Sequence, residues 1–128
     1  MPNVLFDPTI EGLARTLTLH QQRHEVLASN LANVETPGYR ARELDFQDVL
    51  KEAFDSGGGG ERADGGASME RASMVVEDKT APRRADGNTV DMDLQMAKLN
   101  ANGTSYLALA RILGRRVALL RQAIEGTR

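Results

Sequence analysis

The first residues of this 128-residue chain whose spacing could do chemistry are His20 and His24. On a helix, positions four apart share a face, and two imidazoles so placed can hold a metal ion. The zinc-hydrolase version of this spacing puts a glutamate directly after its first histidine, but Gln21 stands there. The chain has no cysteine to extend a ligand set. The pair reads better as two polar positions in an apolar seam, where such residues set helix register. The other candidates reduce in the same way. Gly57 to Gly60 is followed by neither Lys-Ser nor Lys-Thr, so it is a linker and not a phosphate loop. Asn102-Gly103-Thr104 has the form of a glycosylation acceptor but falls inside a predicted helix. Arg111, Arg115 and Arg116 make a solvated basic cluster, with contact to an acidic neighbouring subunit as its second reading. Asp91 and Asp93 stand at a helix start, where the macrodipole accounts for their charge. There is no nucleophile elbow and no convergent carboxylate pair. The expectation is a protein that is not an enzyme and takes no metal or cofactor.

Composition narrows the class further. A net charge of −2 gives no basic field for nucleic acid. With 4% aromatic residues and no tryptophan, platforms for stacking bases or sugars are scarce. The absence of cysteine excludes disulfides and thiol catalysis and says nothing about compartment. Met1 to Pro8 has neither a basic stretch nor a continuous apolar run, so no cleavable signal peptide and no membrane insertion are expected. The length suits one unit with a modest core.

The elements that must position these residues are mainly helical. Thr9 is the expected N-cap of a first helix over residues 10–34. Its stripe is Ile10, Leu13, Leu17, His20, His24, Leu27, Leu31 and Val34, alternating three and four like a coiled-coil seam. Residues 35–90 read as an irregular middle. Within it, Asp45 caps a short helix through Phe54, with Phe46, Val49, Leu50 and Phe54 on one face. The glycine-rich stretch 56–67 is a flexible linker, and Ser73-Met74-Val75-Val76 is a short strand candidate. Pro82 to Asn88 is a loop. Asn88 or Asp91 opens a last helix over 91–125. Its stripe is Met92, Met96, Leu99, Gly103, Tyr106, Ala110, Leu113, Val117, Leu120 and Ile124. The phase is kept across Gly103, which favours one helix over two, and a small residue there would let a neighbouring helix come close. The expected fold is two long terminal helices packed as an antiparallel coiled coil, with a short helix, a Gly-rich loop and a short β segment between them. Together the seams carry more apolar surface than one small chain buries.

The most heavily marked point is the end of the first helix, Ser29-Asn30-Leu31-Ala32-Asn33-Val34-Glu35-Thr36-Pro37-Gly38-Tyr39. Asn30 and Asn33 are weak helix formers in its last turn. Pro37 biases Thr36 out of the helical region. Thr36 to Tyr39 reads as a type II turn with Gly38 at its positive-φ position. The fixed positions Asn30, Leu31, Ala32, Asn33, Thr36, Pro37, Gly38 and Tyr39 resemble the N-terminal signature of bacterial flagellar axial proteins, the rod and hook family. Ser29 to Leu50, Val75 to Leu99 and Tyr106 to Ile124 are most similar to the FlgB type of basal-body rod protein within it. Hook and distal-rod relatives carry large inserted β domains, for which this chain has little room. Leu99 to Tyr106 does not fit the pattern of the FlgC type.

The resemblance implies a structural subunit of the proximal rod, exported through the flagellar type III gate without signal cleavage and placed in the periplasmic part of the basal body. Implied partners are its own copies, rod proteins of the FlgC, FlgF and FlgG types, a FliE-type adaptor and a FliF-type membrane-ring protein. The rival from a different class is a cytoplasmic helical-hairpin adaptor or export chaperone, which has no reason to carry the Asn30 to Tyr39 signature.

Overall fold

The computed structural model describes residues 8–55 and 75–126. In chain order they form α1 (Pro8–Ala32), β1 (Arg42–Leu44), α2 (Phe46–Asp55), β2 (Val75–Glu77) and α3 (Met92–Glu125). The stretch 56–67, with Gly57 to Gly60, lies outside the described residues. So do Ser73 and Met74 of the strand candidate and the side chains of Leu50 and Phe54.

α1 already includes Pro8, so Thr9 sits inside the first turn and does not cap it. Proline suits that place, since its missing N–H is one the helix end leaves unpaired anyway. Glu11 favours the helix start and pairs with Arg15 one turn on. The hydroxyls of Thr16 and Thr18 donate back to the carbonyls of Gly12 and Ala14 at 2.8 and 3.1 Å, which lets these polar β-branched residues sit within the helix. α3 is N-capped by Asp91, whose carboxylate accepts from the Leu94 N–H at 3.2 Å. It runs unbroken through Asn102-Gly103 for 34 residues, roughly 51 Å at 1.5 Å per residue.

The two long helices pack antiparallel: His20 meets Asn102, and Asn30, further along α1, meets Gln95, earlier on α3. The buried line on α1 is Gly12, Thr16, Leu19, His20, Leu27 and Asn30. Ile10, Leu13, Leu17, Leu31 and Val34 are half-buried, and His24 is exposed. This line is rotated from the apolar stripe because α1 has two neighbours. One flank faces α3, and the other receives β1 and α2 in a small core of Leu19, Leu44 and Val49, with Phe46 and Val75 against it.

α3 buries only Gln95 and Asn102. Of its stripe, Leu99, Gly103, Ala110, Leu113 and Leu120 are half-buried, while Met92, Met96, Tyr106, Val117 and Ile124 are exposed. Counting along both helices from the His20–Asn102 pair, Pro8 comes level with about residue 114, so the last turns of α3 run past α1 as described.

β1 and β2 pair antiparallel in the register Arg42–Glu77, Glu43–Val76 and Leu44–Val75. They form a two-stranded ribbon laid against the C-terminal half of α1. No helix among the described residues is long and apolar enough to cross a membrane.

Candidate functional site: a polar joint at the end of the first helix

The carbonyls at the end of a helix lack intrahelical partners and must be satisfied otherwise. In α1 the satisfaction is partly local. The Asn33 N–H donates to Ser29 O and Asn30 O at 3.2 and 3.1 Å, Val34 N–H to Leu31 O at 3.2 Å, and Thr36 N–H to Asn33 O at 3.0 Å. The Asn33 side chain adds a bond from Nδ2 to Ser29 O at 2.8 Å. The Tyr39 N–H then closes the turn on Thr36 O at 3.2 Å, with Gly38 at φ +73°. A Cβ on Gly38 would meet nothing within 4 Å, so the backbone conformation and not crowding calls for glycine there.

The carbonyls of Asn33, Val34 and Thr36, in the turn just past α1, are met by the loop between β2 and α3, about fifty residues away in sequence. Asn88 is fully buried, and its Nδ2 lies 3.0 Å from Asn33 O, 3.0 Å from Val34 O and 2.8 Å from Thr36 O. A carboxamide has two N–H protons, so one of them is shared between two carbonyls. Its Oδ1 accepts the Val90 N–H at 2.7 Å. The Arg84 guanidinium also donates to Val34 O, which puts positive charge at the negative end of the helix dipole. The loop is shaped to bring these groups in. Gly87 N–H donates to Arg84 O at 3.0 Å, Arg84 N–H to Asn88 O at 2.9 Å, and Asp86 Oδ1 accepts Asn88 N–H at 3.0 Å. Two main-chain bonds tie the loop to the turn: Gly38 N–H to Asp86 O and Thr89 N–H to Tyr39 O, each 3.0 Å.

Two further buried asparagines extend the joint. Asn30 treats Arg42 as a strand partner: Nδ2 donates to its carbonyl at 2.6 Å and Oδ1 accepts its N–H at 2.9 Å. Asn30 Nδ2 also reaches Gln95 Oε1 at 3.1 Å, and the Tyr39 hydroxyl donates to Asn30 Oδ1 at 3.4 Å. Asn102 Nδ2 donates to the main-chain carbonyl of His20 at 2.8 Å, which orients its amide. Its Oδ1 therefore faces His20 Nδ1 at 2.7 Å, and Nδ1 carries the proton. The imidazole packs on Phe46 with ring centroids 4.7 Å apart. An uncharged carboxamide suits all three positions, because each must donate and accept in one plane. Among the described residues no buried polar side-chain atom lacks a partner.

A half-buried charge cluster holds the ribbon to both helices. Glu43 accepts from Arg23 Nε at 2.9 Å and from Lys98 Nζ at 3.0 Å, and Lys98 also reaches Asp78 at 3.3 Å. Burial pushes the Glu43 carboxyl up, but the hydrogen bonds and charges of Arg23 and Lys98 outweigh it and leave it below its ordinary 4.5. Burial likewise raises Asp78, and its bonds from Thr80 and Lys98 bring it below 3.8. Burial lowers Lys98, and its two carboxylate partners hold it above 10.5. Beside the joint, Glu25, Val26, Ser29, Tyr39, Arg42 and Val75 line an open groove of about 390 Å³.

The structure thus places the motif residues in one cluster at the helix end: Asn30 buried, Leu31, Asn33 and Tyr39 half-buried, and Ala32, Thr36, Pro37 and Gly38 exposed. It does not bring the histidines together: His20 faces Asn102 and Phe46, whereas His24 is exposed. Among the described residues no group of three or more metal-ligating side chains converges. Sequence reasoning does not reach the role of Asn88, which it reads as the end of a loop or, with Asp91 as the alternative, the start of the last helix, nor the roles of Thr89, Gln95 and Asn102. The spacing of Gln95 and Asn102, two polar residues seven apart beside an apolar stripe, was the available signal.

Comparison with known proteins gives one consistent result. The family model for the flagella basal body rod protein matches residues 10–40, which span α1 and the turn. The flagellar basal body rod protein FlgB of Cereibacter sphaeroides is 34% identical over 119 residues, covering 88% of this chain and 91% of the relative. FlgB of Escherichia coli K12 is 31% identical over 120 residues, covering 84% and 87%. FlgB of Salmonella typhimurium LT2 is 29% identical over 134 residues, covering 94% and 95%.

Proposed function

The chain belongs to the family of flagellar basal body rod proteins, and from that membership we propose that it is a proximal-rod subunit whose polar joint is set within the chain and whose exposed α3 face is covered by neighbouring subunits. As a rod component of the flagellar basal body it is a structural protein and not an enzyme.

The observation that carries the proposal is the distribution of apolar surface. Of the ten large apolar residues exposed among the described residues, nine lie on α3: Met92, Leu94, Met96, Tyr106, Leu107, Ile112, Val117, Leu119 and Ile124. Completing the burial of these half-exposed side chains is worth on the order of 10 kcal/mol gross, before association costs. Gly103 sits on this helix with open space where a Cβ would be, so another backbone can approach closely. The buried polar contacts, by contrast, fix geometry. They hold the antiparallel register of α1 and α3 and the direction in which the chain leaves α1.

In this reading the chain passes through the flagellar type III gate without signal cleavage and assembles in the periplasm with its own copies and with FlgC-, FlgF- and FlgG-type rod proteins. A FliE-type adaptor and a FliF-type ring protein join it to the membrane. The end of α3 beyond Leu113, which extends past the described part of α1, orders when neighbours cover it, as coupled folding and binding. The test is Leu107→Glu, at a side chain 57% exposed in the single chain. The purified variant is expected to melt like wild type yet to be missing from isolated basal bodies. Normal incorporation and swimming would defeat the proposal.

A further inference from the structure

Asn102-Gly103 is the only Asn-Gly dipeptide in the chain, and the α1–α3 register gives it a chemical role that the rod reading does not use. We propose that Asn102 is a spontaneous deamidation site, silent while α3 is docked on α1 and active whenever it is not.

The chemistry needs only the two residues and water. The Gly103 main-chain nitrogen loses its proton and attacks Asn102 Cγ. A C–N bond forms, the Cγ–Nδ2 bond breaks, and Nδ2 leaves as ammonia. The resulting five-membered imide is opened by water at either carbonyl, giving aspartate or isoaspartate at position 102. Glycine is the most permissive following residue because it has no Cβ to crowd the attacking nitrogen.

Docking blocks this route twice. The helix runs unbroken through position 103, so the Gly103 N–H is committed to the helical ladder and held away from Cγ. The carboxamide itself is clamped: Nδ2 on the His20 carbonyl at 2.8 Å and Oδ1 on His20 Nδ1 at 2.7 Å, in a site where Asn102 is 2% exposed. The product does not fit the same clamp. An aspartate has no donor for the His20 carbonyl and would bury a charge against it. A chain that lingers undocked is therefore marked at one of the positions that docking requires to be an uncharged amide. The consequence for assembly, that such chains drop out of the competent pool, rests on the rod reading. The chemistry does not, and it is tested on purified protein alone.

The full-length chain is aged in neutral buffer and, in parallel, in urea at the same pH and temperature. Peptide mass spectrometry follows the amide-to-acid conversion at residue 102. Conversion is expected in urea and at least roughly tenfold more slowly in buffer, because reaction must await a local opening of the helix pair. Gly103→Ala, whose Cβ meets open space and should leave the fold intact, is expected to suppress conversion in urea. Asn102→Asp, the product side chain, is expected to melt below wild type. Equal rates in buffer and urea, undiminished conversion in Gly103→Ala, or a wild-type melt for Asn102→Asp would each overturn the proposal.

Discussion

Replacing Asn88 tests the joint at its centre. The side chain is fully buried, offers two N–H protons to three carbonyls, and accepts the buried Val90 N–H. Asn88→Ala removes about three net hydrogen bonds at roughly 1 kcal/mol each, with a further penalty for the stranded Val90 donor. Asn33 and Val34 are half-buried and Thr36 is exposed, so water recovers part of the loss at their carbonyls. The expected destabilisation is roughly 2–4 kcal/mol, a fall in Tm of roughly 10–25 °C for a folded unit of this size. Asn88→Asp keeps the shape but turns an acceptor toward three carbonyls, so it is expected to cost at least about 1 kcal/mol more than alanine. Urea and thermal melts of the purified variants by far-UV circular dichroism measure both. An Asn88→Ala variant within about 0.5 kcal/mol of wild type, or an Asn88→Asp variant no worse than alanine, would refute the claim that this loop caps α1.

Further outcomes follow from the same geometry. Gly38→Val forces a β-branched residue to φ +73°, at a cost on the order of 1–3 kcal/mol of backbone strain, and Gly38→Asn is expected to be milder because asparagine tolerates that region. Motility and basal-body content should fall in Gly38→Val while secretion persists, and normal swimming would contradict this. The contributions of Glu43 and Asp78 are complete above their ordinary values of 4.5 and 3.8 and are lost as pH falls through their depressed folded values. That of Lys98 is complete below 10.5 and is lost as pH rises beyond it. Tm against pH should therefore drop in strong acid and again in strong alkali, and Glu43→Gln should flatten the acid limb. Gly103→Ala should stabilise the isolated chain by about 0.5–1 kcal/mol through helix propensity. It should also lower incorporation into basal bodies if a neighbour's backbone uses the bare position, so assembly and stability measured together separate the two roles.

The two long helices were legible because each repeats apolar residues over many turns, and period is the strongest sequence signal of helix. Pro37 and Gly38 located the turn, because the restrictions they impose on φ are local. What could not be read was which face of each helix the chain itself buries. The stripe with His24, Met96, Val117 and Ile124 leaves those residues exposed in the single chain, whereas Thr16, Gln95 and Asn102 are buried. The reason is that hydrogen bonds as well as apolar contacts hold α1 to α3, and the partner of each amide lies on a distant element. Asn88 shows the same limit: its Asp86-Gly87-Asn88 context says turn, but nothing local says that the turn closes on a helix end about fifty residues earlier. β1 was invisible for a related reason. Three residues are too few for a period, and this strand exists because Asn30 and β2 supply its partners.

The absence of native cysteine makes the covering of α3 directly measurable. Single cysteines in place of Leu107 and Leu119, both well exposed on α3, can be probed with a maleimide in the purified chain and in isolated basal bodies. If neighbouring subunits cover this face, labelling is rapid in the purified chain and strongly suppressed in basal bodies at both positions. Equal reactivity in the two states would show that this face stays in solvent after assembly and that neighbouring subunits do not cover it.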